Sequence, residues 1–597
     1  MRILILVASL ILAACDNGSG GGGGGSSTAP LESKVSQERV ESVIDGTNIA
    51  FTAYFPELAA GETAPLLIHG QSWGNLRVSN LDDDGFFAGF SQQESSVQIT
   101  KRAWESGYFV ITYDPRGFGD SEGQVSLADP NLDGQDIKSI IDWAVENFGE
   151  HLAKRGDDPV VGTLGLSYGA GTQFANAGVD ERVDAMVPMY SWYDLAESLA
   201  PNGVPKSTWA SLLVASGTVS SGFSLPFNLY TSALSAFVSL ELPEDLATQL
   251  HNNSLASFCD GDVGGRNVPD VDALFVQGAH DVLFNANEAI RSHACLKDAG
   301  NDSRLLIQRD GHIIPLLQES GSDVFFGLQE TVHCGGRSFD TETLIFEFLE
   351  EKLRDRVASE APTVCFSQAE TGQKLDEVPI GGVTGSVQEN RIPTGLAFST
   401  LLGLFFDLNT SQIIALLAEA PRNLVDLIVD GVANLFSGRQ PAEIAFDTLS
   451  DLLNVIPPEL LQELITYQYF MPIAEAQAGQ ALAGVPTASL NIEKSFTDIE
   501  INPLGVALTT PIVYVGVAVE PADGSGRYLV NDQITPIRGT GEHDIWLAGV
   551  SAKLEEGDRV GLVVMPFHPQ FATSRTRVPG FVNVSGSASL PIIADQQ

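Results

Sequence analysis

The chain has 597 residues, of which 44% are apolar, 18% charged and 8% aromatic. This is globular composition spread over more chain than one ordinary core holds, so two or three domains are expected and a collagen-like or wholly disordered chain is excluded. A formal net charge of −44 repels a nucleic-acid backbone and removes that partner class; it reads as a solvated acidic surface.

Met1-Arg2 is followed by an apolar run from Ile3 to Leu12, too short to cross a bilayer but of the length of a signal-peptide core. Leu12-Ala13-Ala14-Cys15 closes the run. Small residues before a cysteine at this place resemble the bacterial lipobox. The resemblance implies cleavage before Cys15, acylation of its sulfur, a membrane partner through that lipid, and an exported, membrane-anchored protein. Residues 1–14 are the expected signal and 15–36 a tether, because the Gly/Ser-rich stretch after Asn17 has nothing to bury. Four further cysteines follow: Cys259, Cys295, Cys334 and Cys365. An even number in an exported chain permits two disulfides, and three pairings are open. Sequence proximity favours Cys259–Cys295 and Cys334–Cys365. No cysteine pair has metal-ligand spacing, and neither a metal nor a cofactor is expected.

From residue 37 the pattern alternates. Val40–Val43 and Ile49–Tyr54 flank Asp45-Gly46, a hairpin signal. Pro65–Ile68 is an apolar run ending at His69-Gly70, and Phe109–Tyr113 is another, ending at Asp114. Gln135–Asn147 places Ile137, Ile140, Ile141 and Ala144 at helical spacing. Val160–Leu164 leads into Gly165-Leu166-Ser167-Tyr168-Gly169, and Ala170–Ala177 is helix-compatible. Strand-like runs return at Val183–Met189, Ala273–Val276 and Leu305–Gln308, and Thr341–Leu353 is a closing helix. Apolar runs without alternation, separated by helices, predict a mostly parallel sheet covered on both faces. Residues 37–360 are this expected catalytic domain, with a helical cap over about 190–272. Residues 361–484 are expected to be linker and a helical region, the helices being Ser411–Ala420, Arg422–Phe436, Pro441–Leu453 and Pro458–Tyr469. From Thr487 the period shortens, and residues 485–597 are expected to form an antiparallel β-sandwich.

The chemistry centres on Ser167. Glycines on either side of a serine, between a strand and a helix, permit a sharp turn that exposes Oγ and places it at a helix N-terminus. A serine needs a base, and the base an orienter. In this type of sheet they follow in the order acid then histidine, each after a later strand. Phe275-Val276-Gln277-Gly278-Ala279-His280-Asp281 and Leu305-Leu306-Ile307-Gln308-Arg309-Asp310-Gly311-His312 supply them: Asp281 as acid, His312 as base. Among nine histidines, His280 shares a turn with Asp281 and cannot face it, and His333 beside Cys334 is structural. Asp310 is the rival acid. For the oxyanion, backbone N–H groups of Tyr168 and of Gln71, in His69-Gly70-Gln71-Ser72-Trp73-Gly74, are the expected donors, with His69 shaping the turn. Arg116 is expected to pair with a carboxylate beneath the site.

With these residues in place the chain resembles the α/β-hydrolases, and more narrowly the Xaa-Pro dipeptidyl-peptidase and cocaine-esterase group. The carriers are Asp114-x-Arg116-Gly117-x-Gly119-x-Ser121-x-Gly123, then Asp136, Ile140 and Trp143, the serine motif, Asp281 and Gly311-His312. The resemblance implies an α/β-hydrolase sheet with a cap, a C-terminal sandwich, and a serine hydrolase acting on an ester or a peptide bond. Two departures stand out. The group often supplies an oxyanion donor from a tyrosine side chain, where this chain has His69-Gly70-Gln71, and the helical segment 395–470 is not part of the group's pattern. Three readings follow: esterase or Xaa-Pro peptidase, a lipase-type hydrolase of apolar acyl esters, or an inactive lipid-anchored binding protein.

Overall fold

The computed structural model describes residues 28–81, 95–312, 328, 330–356, 358–368, 370–394, 469–494, 510–571, 574, 576 and 580–596. The expected leader, Cys15, most of the expected tether, and residues 395–468 of the helical segment expected over 395–470 lie outside these residues.

A ten-stranded sheet carries the first half of the chain. Its strands are β1 (Lys34–Glu41), β2 (Asn48–Phe55), β3 (Leu66–Gly70), β4 (Phe109–Tyr113), β5 (Val161–Leu166), β6 (Val183–Met189), β7 (Asp272–Gly278), β8 (Ser303–Gln308), β9 (Val364–Ser367) and β10 (Gly372–Leu375). The order across the sheet is β1-β2-β4-β3-β5-β6-β7-β8-β9-β10. Strands β4, β3 and β5 through β9 are mutually parallel, and the outer pairs β1–β2, β2–β4 and β9–β10 are antiparallel. Central strands such as β3, β4 and β5 are buried at every residue, as expected where helices cover both faces. Those helices include α1 (Ser95–Glu105), α2 (Asp133–Phe148) and α3 (Tyr168–Ala177). Helix α2 turns Ile137, Ile140, Ile141 and Ala144 into one apolar cluster with Phe51, Phe109 and Ile111 of β2 and β4.

Between β6 and β7 lies the cap, built mainly from α4 (Ser207–Ser220), α5 (Phe227–Ser239) and α6 (Glu244–Asn252). Helices α7 (Ala286–Asp298) and α8 (Thr341–Arg354) complete the domain. The disulfide Cys259–Cys295 ties the end of the cap to α7, and Cys334–Cys365 ties the hairpin Thr331–Cys334/Arg337–Asp340 to β9, with Cα separations of 6.0 and 5.7 Å.

Two expected boundaries move. Residues 361–484 are not all linker: Val364–Ser367 is a fully buried strand paired parallel to β8, and Gly372–Leu375 follows it, so the catalytic domain extends past 360. The polar, Gly-rich sequence around this four-residue run hides it. Residues Val383–Thr394, Tyr469–Glu475 and Gln480–Gly484 already belong to the C-terminal sandwich, which therefore does not begin at 485. Val383–Thr394 pairs antiparallel with Gly580–Leu590, and its many exposed polar residues give no apolar signal; Tyr469 starts a strand instead of ending a helix.

All strand pairs in the sandwich are antiparallel. Its core brings Leu490, Ile492, Val582 and Val584 against Val513, Val515, Leu562 and Val564. A second apolar cluster, with Val204 and Leu240 of the cap among Ile512, Tyr514, Met565 and Phe571, seats the sandwich on the cap. Polar contacts flank this seat: Asn202 Nδ2 donates to the Pro536 carbonyl at 2.9 Å, Asn287 Nδ2 to that of Leu547 at 2.9 Å, and the Gly549 N–H to Asn287 Oδ1 at 2.9 Å.

Candidate active site

Strand β5 delivers Ser167 to the C-terminal edge of the sheet. Its backbone stands at φ 57°, ψ −114°, a conformation that costs a non-glycine residue free energy and persists only where its surroundings impose it. The surroundings are close backbone. A β-carbon on Gly169 would lie 2.3 Å from the Gly70 carbonyl oxygen and 3.1 Å from the Gln71 nitrogen, and one on Gly165 would lie 2.8 Å from both the Gly70 and Gly169 oxygens. The Ser167 N–H donates to the Met189 carbonyl at 2.9 Å, and its carbonyl accepts from Ala170 and Gly171 as α3 begins. The serine is 7% exposed.

Loops after β7 and β8 bring up the partners. His312 Nε2 lies 2.9 Å from Ser167 Oγ, and His312 Nδ1 lies 2.6 Å from Asp281 Oδ2. Asp281 is fully buried, yet well supplied with donors. Oδ1 accepts from the Leu283 and Phe284 N–H groups at 3.0 and 2.7 Å, and Oδ2 from Gln277 Nε2 at 3.3 Å. Such donors satisfy the oxygens of a carboxylate in a dry place. The loops brace each other through the Val282 N–H, which donates to the His312 carbonyl at 3.0 Å. The rings of Tyr190, Trp209 and Phe284 surround the imidazole in T-shaped contacts, with ring centroids 6.1, 6.1 and 5.1 Å away, and His312 is 2% exposed.

The sequence-predicted residues thus fall into two groups. Ser167, His312 and Asp281 meet. Tyr168 opens α3 beside them, its hydroxyl accepting from the Ala128 N–H at 3.0 Å, and Gln71 is buried against the elbow with Nε2 3.0 Å from His69 Nδ1. His69 shapes that turn: Nε2 pairs with Ser96 Oγ at 3.0 Å, and burial drives its pKa down to about 3, which keeps it neutral. The rivals stand elsewhere. His280 Nδ1 faces the Arg309 carbonyl at 3.1 Å, and His333 sits in the hairpin with Nδ1 2.9 Å from Ser338 Oγ. Of the two candidate acids, Asp281 is hydrogen-bonded to His312. Beneath the site Arg116 grips Asp136 with Nε and Nη2 at 2.7 and 2.6 Å and reaches Asp45 at 3.0 Å. Removing one partner of a buried pair like this costs about 3–5 kcal/mol, so Arg116 has a structural role.

Three side chains at the site escaped the sequence reading. Gln277 carried a signal, being the polar residue that interrupts the apolar run of β7. Lys206, 2% exposed at the start of α4, donates from Nζ to the Leu283 carbonyl at 2.7 Å. Gln533, in the sandwich, donates to the carbonyls of Ala279 and Asp281. Neither of these two lies in a motif.

A parallel sheet in this order, a strained serine between strand and helix, and a histidine and aspartate from later loops define the α/β-hydrolase class of serine hydrolases. The comparisons agree. Residues 45–314 match the family model described as X-Pro dipeptidyl-peptidase (S15 family). The structure is similar to that of an aminopeptidase from a marine sediment archaeon (Thaumarchaeota archaeon), over 94% of this chain and 96% of that one, with a TM-score of 0.58 at 14% identity. It is also similar to a CocE/NonD family hydrolase from Staphylococcus aureus, over 94% and 97%, with a TM-score of 0.53 at 12% identity. At these identities the likeness is one of fold. An uncharacterized 31.7 kDa protein of the traX-finO intergenic region of Escherichia coli is 34% identical over 109 residues, which are 18% of this chain and 36% of that protein, so the chain spans little more than a third of that relative's length. Over residues 45–314 the chain is thus similar to the S15 family, on an α/β-hydrolase fold.

Proposed function

We propose that this protein cleaves an ester or an amide/peptide bond through an acyl-enzyme on Ser167, with His312 as general base and then general acid and Asp281 holding the imidazole. The observation that carries the reading is the unbroken hydrogen-bond chain from Ser167 Oγ through His312 to Asp281, at 2.9 and 2.6 Å. These lengths are within reach for proton transfer. His312 takes the Oγ proton as the serine attacks the carbonyl carbon, and returns it to the leaving alcohol or amine. The Tyr168 and Gln71 N–H groups are the proposed oxyanion donors. A fluorophosphonate probe should label the parent, and Ser167→Ala should abolish both labelling and turnover, a loss of at least about 10⁴-fold. An unlabelled parent, or a labelled variant, would sink the assignment. A panel of p-nitrophenyl esters against Xaa-Pro p-nitroanilides then separates esterase from dipeptidyl-peptidase.

The proposed place of this chemistry is the outer side of a membrane, with Cys15 acylated. What supports it is the apolar run ending in Leu12-Ala13-Ala14-Cys15. Feeding cells an alkyne fatty acid should tag the parent and leave Cys15→Ala untagged; an untagged parent would refute the anchor.

A further inference from the structure

The loop that carries Asp281 is held from outside its own domain. One carboxamide nitrogen, Gln533 Nε2, donates to the Ala279 carbonyl at 2.8 Å and to the Asp281 carbonyl at 2.9 Å. Gln533 is 4% exposed and lies 252 residues beyond Asp281, in the sandwich. An amide nitrogen has two hydrogens, and here both are spent on the acid loop.

The turn that presents Gln533 is unusual. Asn531 and Asp532 both have φ of 55°, two consecutive non-glycine residues in the left-handed region. Such strain persists only where neighbours impose it. The Ser551 N–H donates to Asn531 Oδ1 at 2.7 Å, and the Gln533 N–H closes the turn on the Val530 carbonyl at 3.1 Å. Asn531 Nδ2 meanwhile approaches His280 Nε2, in the same acid loop, at 3.5 Å.

Displacement of the loop would reach the reacting groups directly. Asp281 Oδ1 is fixed by the N–H groups of Leu283 and Phe284, and the Val282 N–H holds the His312 carbonyl. A β-carbon on Gly311, the residue before the base, would lie 2.6 Å from Asp281 Cβ. There is no slack between the two loops.

We propose that Gln533 is a positioning residue of the active site: it holds Asp281 in register with His312, which makes the sandwich a working part of the catalytic apparatus and not an appended module. The proposal rests on the triad reading above. Its rival is that Gln533 merely docks one domain on another. Asn287 supplies the control, because its two bonds to Leu547 and Gly549 join the domains without touching the acid loop's backbone.

The experiment compares Gln533→Met, Gln533→Asn and Asn287→Ala in the full chain, with active sites titrated by the fluorophosphonate and kcat expressed per titrated site. A misplacement of about 1 Å in a reacting group costs on the order of 100-fold. Gln533→Met should therefore lower kcat per site by about 10- to 100-fold, with KM within about twofold. Gln533→Asn, one methylene short, should fall between it and the parent. Asn287→Ala should lower the melting temperature and leave kcat per site unchanged. The downfield ring N–H proton of the His312–Asp281 bond should broaden in the Gln533 variants only. A kcat per site equal to the parent's in both Gln533 variants, with that resonance intact, overturns the proposal. Should Gln533→Met not fold, Gln533→Asn and the resonance decide. Failure of the parent to take the probe overturns the triad itself, and is seen before any variant is made.

Discussion

The serine and the acid are held in opposite ways. Ser167 stands on an elbow built inside the central sheet: a strand, a helix, and glycines at 165 and 169 that let the backbone, including the Gly70 carbonyl of the adjacent β3, close to 2.3–2.8 Å of where a β-carbon would be. Asp281 stands on a loop whose carbonyls are borrowed ends, two taken by Gln533 from the sandwich and one by Lys206 from the cap. Ser167 is thus preorganised within the sheet, Asp281 by the assembly of cap and sandwich. The consequence is that the elbow should tolerate changes in distant parts of the chain and no change within itself, while the acid loop should answer to cap and sandwich alike.

The sharpest way to break the elbow is one methyl group. In Gly169→Ala the new β-carbon meets the Gly70 carbonyl at 2.3 Å, and that neighbour is backbone, with no flexible end to swing away. Either β3 or α3 must move, and overpacking of this kind costs about 1–3 kcal/mol. The shift falls on Gln71 and Tyr168, the proposed oxyanion donors, so turnover should drop by at least about 100-fold. Calorimetry and probe labelling of the variant check both effects. Parental labelling and an unchanged melting temperature would show that the glycine is not required for space.

The same contrast explains what could be read from the chain. The elbow was legible because its chemistry is contiguous: Gly165-x-Ser167-x-Gly169 after an apolar strand says what the backbone does there. Asp281 and His312 were legible too, since each follows a strand and a glycine-bearing turn, and the sheet order then brings the two loops together. What holds them was not. Lys206 reads as an ordinary surface lysine at a helix start, and Gln533 as one polar residue in a β-rich stretch, because nothing local records that a carbonyl from a distant part of the chain sits 2.7–2.9 Å away. The domain limits failed for a related reason. Val364–Ser367 is short, and its assignment to the central sheet depends on β8, far upstream. Strand Val383–Thr394 shows much of its surface to solvent and carries no apolar run.

Lys206 gives the smaller and finer test of the acid loop. Burial pulls its pKa from 10.5 down to about 8, although the carboxylates of Glu288, Asp281 and Glu197 pull the other way. A lysine whose folded pKa lies below its unfolded one binds fewer protons when folded. Between about pH 8 and 10.5 the unfolded chain therefore holds the extra proton, and stability rises with pH across that window. At neutral pH both states are charged, and the folded state carries the full penalty, on the order of 3 kcal/mol at about 1.4 kcal/mol per pH unit. Lys206→Met removes this dependence along with the bond to the Leu283 carbonyl, which is worth about 1–3 kcal/mol. The two losses oppose each other at neutral pH, so the informative quantity is the slope. Denaturant unfolding of parent and variant at pH 7.5 and again near pH 10 should show the parent gaining on the variant, by about 2–3 kcal/mol, as Lys206 loses its proton. All other groups titrate in both proteins and cancel. Parallel pH dependences would mean that the ammonium is not desolvated, and that the cap does not grip the acid loop through it.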